Sequence, residues 1–116
     1  GELLGPQFLA TDGIGYIYAT DWGNGRVVKF DKDGNYILSF SNHISSPTGI
    51  AATKNRVYVS DRYGKRIVVF DGSGNYIKSI GSDFLLGPEG IFIKKNGNLL
   101  MLMADHMCFP LMKLNR

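Results

Sequence analysis

The chain is poor in the features that would staple a fold covalently or carry it through a membrane. Cys108 is the one cysteine in 116 residues, so no internal disulfide forms and the fold does not depend on an oxidising compartment. The compartment is therefore left open. No apolar run approaches the roughly 18 residues needed to cross a bilayer, and no stretch carries a convincing helical period, so no membrane insertion is expected, and the chain reads as a soluble β protein. The chain opens at Gly1 without an initiator methionine or a signal segment, which leads to the expectation of a processed product or an excerpt. There is no Gly-x-Ser-x-Gly elbow and no phosphate-binding loop, two common signatures of enzymes. Charge of one sign is also scarce. Thirteen Lys and Arg against ten Asp and Glu leave +3, which permits a polyanionic partner without demanding one.

Glycine, by contrast, is plentiful at 15 residues, and it marks a fold with many tight turns. The sequence also repeats itself. "DWGNGRVVKFDKDGNY" (21–36) returns as "DRYGKRIVVFDGSGNY" (61–76), so that Asp21/Asp61, Arg26/Arg66, Phe30/Phe70, Asn35/Asn75, Tyr36/Tyr76 and Ile37/Ile77 are offset by 40. A third, decayed copy is read 84 residues after the first, with Asp105 for Asp21 and "LMKLN" (111–115) for "VVKFD" (27–31). Proline opens each unit, at Pro6, Pro47 and Pro88. Such a period is the signature of a repeat architecture.

Inside a unit, short runs rich in Val, Ile, Tyr and Phe alternate with Gly, Asn and Asp, which is the strand signature. Unit two divides into four strands at 48–53, 56–60, 66–70 and 76–80. "DKDGN" and "DGSGN" supply the positive φ angles of tight hairpins. Four antiparallel strands per unit of about 40 residues, in tandem, predict an all-β chain of propeller blades. The blades are placed at 6–40, 47–80 and 88–116, the last without a fourth strand.

The order Pro-x-Gly-Ile, a strand ending in Asp, Arg-[Val/Ile]-Val-x-Phe-Asp and then Gly-Asn-Tyr resembles the NHL repeat. The resemblance implies about three NHL-type blades, part of a β-propeller that is commonly six-bladed and used for RNA binding, protein binding or, in related propellers, lyase and lactonase chemistry. Unit three departs from the pattern. It is read with two or three extra residues in its first hairpin and with Pro110 where Arg26 and Arg66 stand. Since "ELLGP" (2–6) echoes "FLLGP" (84–88), the N-terminus reads as the tail of an inter-blade connection. An open half-ring would expose apolar faces and a strand edge. The first reading is therefore an excerpt of a longer propeller, and the second is copies that associate to close a ring.

Residues kept in every unit are read as scaffold. Asp21 and Asp61 are expected to accept loop amides and to pair with Arg26 and Arg66, while Val28, Val68, Phe30, Phe70, Tyr36 and Tyr76 are read as core. The position after the kept Asp changes in every unit, to Trp22, Arg62 and His106, and its surroundings vary too, with Asn24, Tyr63 and Lys65. His43 lies in the connection 41–46, expected on the same rim. Trp22, Asn24, His43, Arg62, Tyr63, Lys65 and His106 are thus the candidate ligand contacts, since loops on a rigid sheet are where binding concentrates. Protein is the first expected partner, because Trp, Tyr and Arg dominate interface hot spots. Single-stranded RNA is the alternative, through a basic and aromatic patch. No catalytic residue and no cofactor are expected. The resemblance leaves a metal-dependent lyase or lactonase in the central channel as a further alternative, with zinc or calcium there. Two histidines in unlike loops do not make a three-histidine zinc site, and Glu89, where the other units have Gln7 and Thr48, is a weak calcium candidate.

Overall fold

The computed structural model describes residues 6–61, 66–80, 88–93, 98–103 and 108–113, the last three segments by their backbone pairing. Among the described residues the regular elements are strands apart from a 3₁₀ turn at Trp22–Asn24. Strands β1 (Pro6–Thr11), β2 (Ile17–Asp21), β3 (Arg26–Phe30) and β4 (Tyr36–Phe40) form one antiparallel meander in the order β1-β2-β3-β4. Strands β5 (Pro47–Ala52), β6 (Val57–Asp61), β7 (Arg66–Phe70) and β8 (Tyr76–Ile80) form the second, in the same order. Strands β9 (Pro88–Ile93), β10 (Asn98–Met103) and β11 (Cys108–Lys113) form a third sheet of three strands. In unit two the last two strands fall where the sequence puts them, and the first two are displaced by one residue. The first strands of the three sheets stand side by side, β5 against β1 and β9 against β5. This is the arrangement of propeller blades around an axis.

The core lies in the seam between the first two blades. Tyr18, Val27 and Phe40 of blade one pack with Ile50, Val57, Val59, Val68 and Phe70 of blade two. The Phe40 and Phe70 rings meet at 4.7 Å. Alternate residues of a strand point to opposite faces, so "RIVVF" is apolar on consecutive residues because its sheet is covered on both sides. The seam also has a polar fastener. Lys29 Nζ lies 4.1 Å from the Tyr16 ring centroid and donates to the Gly72 carbonyl of the next blade at 2.7 Å. Tyr18, buried in the same seam, has its phenol pKa raised to about 12, first by burial and then by the charge of Asp12.

The third hairpin of each described four-stranded blade repeats one turn to the atom. Asp31 Oδ1 accepts from the Asp33 and Asn35 amides at 2.9 Å, and Asp71 Oδ1 accepts from Ser73 and Asn75 at 2.9 Å. Those donors, led by the Asn35 and Asn75 amides, hold both carboxyls below the usual carboxylate range. Gly34 and Gly74 occupy the same left-handed position, at φ 87° and 85°, but a Cβ on Gly34 would meet nothing within 4 Å, whereas one on Gly74 would lie 2.7 Å from the Phe40 ring.

The structure corrects three readings of the sequence. Tyr36 and Tyr76 are exposed rather than core, at 50% and 38%. They begin the fourth, outermost strand, and their hydroxyls reach Ser39 and Ser79. The third copy is also in a different register. Met103 faces Pro88 as Asp61 faces Pro47 and Asp21 faces Pro6, so Met103, not Asp105, holds the position of the kept aspartate. Pro110 faces Leu100 as Val69 faces Tyr58, so it stands at the position of Lys29 and Val69 rather than of Arg26 and Arg66. The register shifts beside it, between Leu99 and Leu100, and irregular or edge positions are where a strand tolerates a residue without an N–H. Finally, five residues separate the paired Ile93 and Leu99 where four separate Ala52 and Val57. The first hairpin of blade three is therefore one residue longer than that of blade two and as long as that of blade one, where Thr11 pairs with Ile17, and the two or three extra residues are not there.

Candidate functional site

The candidate residues were read onto one rim, formed by the links between second and third strands and by the connections between blades. For blades one and two these segments meet. Strand β2 ends at Asp21, the chain makes the 3₁₀ turn Trp22–Asn24, and Gly25 at φ 63° reverses it into β3 with its amide on the Trp22 carbonyl at 3.1 Å. A Cβ on Gly25 would come within 3.2 Å of the Ser45 carbonyl. The loop of blade one therefore touches the connection 41–46 that enters blade two.

Two buried aspartates organise this rim. Asp21 accepts from Asn24 Nδ2 at 2.8 Å and from Arg26 Nε at 2.9 Å, which closes the loop onto itself. Asp61 works across a longer span, accepting from the Ser46 amide at 2.9 Å, the Ser45 amide at 3.3 Å and the Ser45 hydroxyl at 3.2 Å. Its pairing with Arg66 is loose, with Nε at 3.6 Å and no hydrogen bond to that buried nitrogen. Arg66 instead donates through Nη2 to the His43 carbonyl. The expected Asp–Arg pairs are both present. The amides described on Asp61 come from the inter-blade connection.

This clasp sets the candidate side chains. Ser46 Oγ accepts from Trp22 Nε1 at 2.7 Å, while the Trp22 side chain stays 47% exposed. With its one donor satisfied, the indole offers an apolar face to solvent in a fixed pose. His43 has φ 65°, the one positive value among described non-glycine residues, and its ring stacks on Tyr76 at 3.8 Å. A residue other than Gly, Asn or Asp in that region costs about 1–2 kcal/mol, and the Arg66 and Asp61 contacts on either side hold it there. Asn24 is exposed, but its amide serves Asp21, so it braces the loop beneath Trp22. Arg62, Tyr63, Lys65 and His106 lie outside the described residues. Glu89 lies on β9, and its side chain is likewise outside them. Among the described residues no three of His, Cys, Asp and Glu gather as a metal site requires, and no helix is long and apolar enough to cross a membrane.

Sequence reasoning missed Ser45, Ser46 and Tyr76 as parts of this rim. The signal for the serines was the "SSP" that precedes β5, since hydroxyls beside a blade-opening proline are placed to bond a strand-ending carboxylate. Tyr76 gave no signal of its own, because its contact with His43 joins a blade's outer strand to a connection far from it in sequence.

Comparison with known proteins agrees with this geometry. The NHL repeat profile matches residues 45–70, a span that runs from Ser45 through β5, β6 and β7 and so takes in the Asp61 clasp. No curated protein matches the sequence. Among solved structures, the chain is similar to virginiamycin B lyase from Staphylococcus aureus, with 15% identity and a TM-score of 0.65 over 91% of this chain and 41% of that one. It is also similar to the hydrazine synthase of Kuenenia stuttgartiensis, with 21% identity and a TM-score of 0.73 over 89% of this chain and 32% of that one. The chain thus spans less than half the length of either, and the likeness is one of fold. Residues 45–70 match the NHL repeat and lie in a row of β-propeller blades.

Proposed function

We propose that the chain is a non-catalytic binding scaffold whose rim takes a peptide segment of a protein partner, with Trp22 as its anchor. The observation that supports this is the Trp22–Ser46 bond across the seam, which fixes an exposed indole before any partner arrives. Rigid aromatic anchors carry a large share of binding energy because little freedom remains to be lost. Arg62, Tyr63, Lys65 and His106 are the further contacts proposed along the same rim, and His43, stacked on Tyr76, flanks the anchor. NHL repeats and propeller blades serve widely as binding scaffolds, which fits this use.

Trp22 is the one tryptophan of the chain, so its fluorescence reports on the rim directly. Peptides selected on the immobilised chain from a random library should shift that emission on titration. Trp22→Ala, followed by an immobilised-peptide assay, should weaken binding about 10-fold or more, as loss of a hot spot does. The reading fails if the selected peptides bind Trp22→Ala as well as they bind the parent chain. It fails also if the rim instead takes single-stranded RNA with an affinity that falls steeply with salt.

A further inference from the structure

The two kept Asp–Arg pairs are in different states. Asp21 faces Arg26 and Asp61 faces Arg66 at the same place in their ladders, and both carboxylates are buried. In blade one the pair is closed, with Arg26 Nε on Asp21 at 2.9 Å. In blade two Asp61 takes the Ser45 and Ser46 amides and the Ser45 hydroxyl, and Arg66 Nε stands off at 3.6 Å, buried and without a hydrogen-bond partner among the described residues. The one hydrogen bond described for this guanidinium runs from Nη2 to the neutral carbonyl of His43. In blade two, therefore, three donors from the connection compete with the arginine for its carboxylate. Arg66 keeps more of its charge uncompensated, and its side chain is 30% exposed.

The place of that charge points to a ligand. The His43 carbonyl that holds Arg66 and the Ser46 hydroxyl that holds Trp22 belong to one connection, three residues apart and so separated by at most about 11 Å. The His43 ring itself stacks on Tyr76, so the cation stands beside aromatic surface. A guanidinium matches a carboxylate with two parallel hydrogen bonds, and a fixed indole takes an apolar side chain. We infer that the partner's segment carries a carboxylate, bound by Arg66, within about five residues of the apolar residue that packs on Trp22. This rests on the rim reading and adds to it the chemistry of the ligand, an acidic and apolar peptide. A phosphate backbone is the poorer match, because it calls for a row of cations, and Arg66 is the described rim arginine that stands off its carboxylate.

Peptides selected on the immobilised chain from a random library should be enriched in Asp or Glu near an apolar residue. Each selected peptide is then measured beside its Asn or Gln form on the parent chain, Arg66→Gln, Arg66→Lys and Arg26→Gln. On the parent chain, neutralising the peptide's acid should weaken binding about 10-fold or more, as loss of a charge-assisted hydrogen bond does. That preference should vanish on Arg66→Gln, shrink on Arg66→Lys, which keeps the charge and loses the fork, and persist on Arg26→Gln. A merely structural role for Arg66 would weaken acidic and neutral peptides alike and leave the preference in place, which overturns the inference. Peptides that need Trp22 but bind equally as acid or amide overturn it too, and they leave the rim reading standing; this arm uses the parent chain and holds whether or not Arg66→Gln folds. If no selected peptide needs Trp22, the rim reading falls and this inference with it. Tight binding of oligouridylate, with no acidic peptide selected, overturns it in favour of nucleic acid.

Discussion

Blades two and three share a backbone frame and differ at the two residues that close their second strands. Blade two ends β6 with Ser60–Asp61, and blade three ends β10 with Leu102–Met103 in the same register. The Ser60 hydroxyl accepts the Gly49 amide at 2.7 Å, beside the register shift where β5 leaves its ladder. Blade one uses Thr20 in the same way, on the Phe8 amide at 3.2 Å. Asp61 then ties the preceding connection to the blade. Leucine and methionine have no oxygen for either task. The two versions show that the strand frame needs only apolar and β-forming residues, while the clasp is a separate device that fixes the seam and, through Ser46, the pose of Trp22.

The strongest test of that separation is to write blade three's residue into blade two. Asp61→Met removes a buried carboxylate and leaves the Ser45 and Ser46 amides without their acceptor. An unsatisfied buried group costs about 1–3 kcal/mol, and of the two amides only that of the buried Ser46 cannot turn to water, so a loss of about 1–3 kcal/mol in urea denaturation is expected. Trp22 emission should shift as Ser46 moves. A loss below about 1 kcal/mol would mean that apolar packing alone fixes the seam, and the difference between the blades would carry no mechanical meaning.

The paired turns sharpen the comparison within the first two blades. Gly34→Ala and Gly74→Ala impose the same left-handed strain, about 1–2 kcal/mol. Only the second drives a methyl into Phe40 of the neighbouring blade, and overpacking of that kind adds about 1–3 kcal/mol. The difference between the two melting or urea curves therefore measures the stiffness of the seam. Equal losses would show that Phe40 swings aside freely.

Much of this was legible in the sequence because a repeat states its rules more than once. The alternation of "RVYVSDRYGKRIVVF" gave the strands, Asp-x-x-Gly-Asn gave the turns, and the pairing of Asp21 with Arg26 and of Asp61 with Arg66 followed from their shared spacing. Position on a rim was legible for Trp22 and His43 as well, since connections of a meander fall on fixed sides. The third copy was misaligned because counting residues cannot see a register shift. The pairing beside Pro110 puts Met112, not Leu114, at the position of Phe30, and the same two-residue slide moves the apparent match from Met103 to Asp105. Contacts between blades and between blade and connection were illegible for a different reason. Lys29 on Gly72, His43 on Tyr76 and Trp22 on Ser46 each join residues more than 20 positions apart, and no local pattern encodes them. Tyr36 and Tyr76 were misjudged because an aromatic at the start of an outer strand looks the same in sequence as one in a central strand.

The smallest expected effect concerns acid, and it asks whether the repeated turns respond alike in the two blades. Asp31 and Asp71 are held below the ordinary aspartate value, chiefly by the amides of Asn35 and Asn75. A carboxyl lowered in the folded state binds a proton more readily when unfolded, so its contribution to stability is complete above the ordinary value of about 3.9 and is lost as pH falls through the folded pKa. NMR titration of the two side chains should give depressed midpoints of similar size, and Asp31→Asn or Asp71→Asn should each flatten the acid limb of the stability curve. Both carboxyls face solvent, so the change is small and weakens further with salt. A depressed midpoint at Asp71 alone would locate its cause in the seam, where the Gly72 carbonyl of the same turn receives Lys29, rather than in the turn that the two blades share.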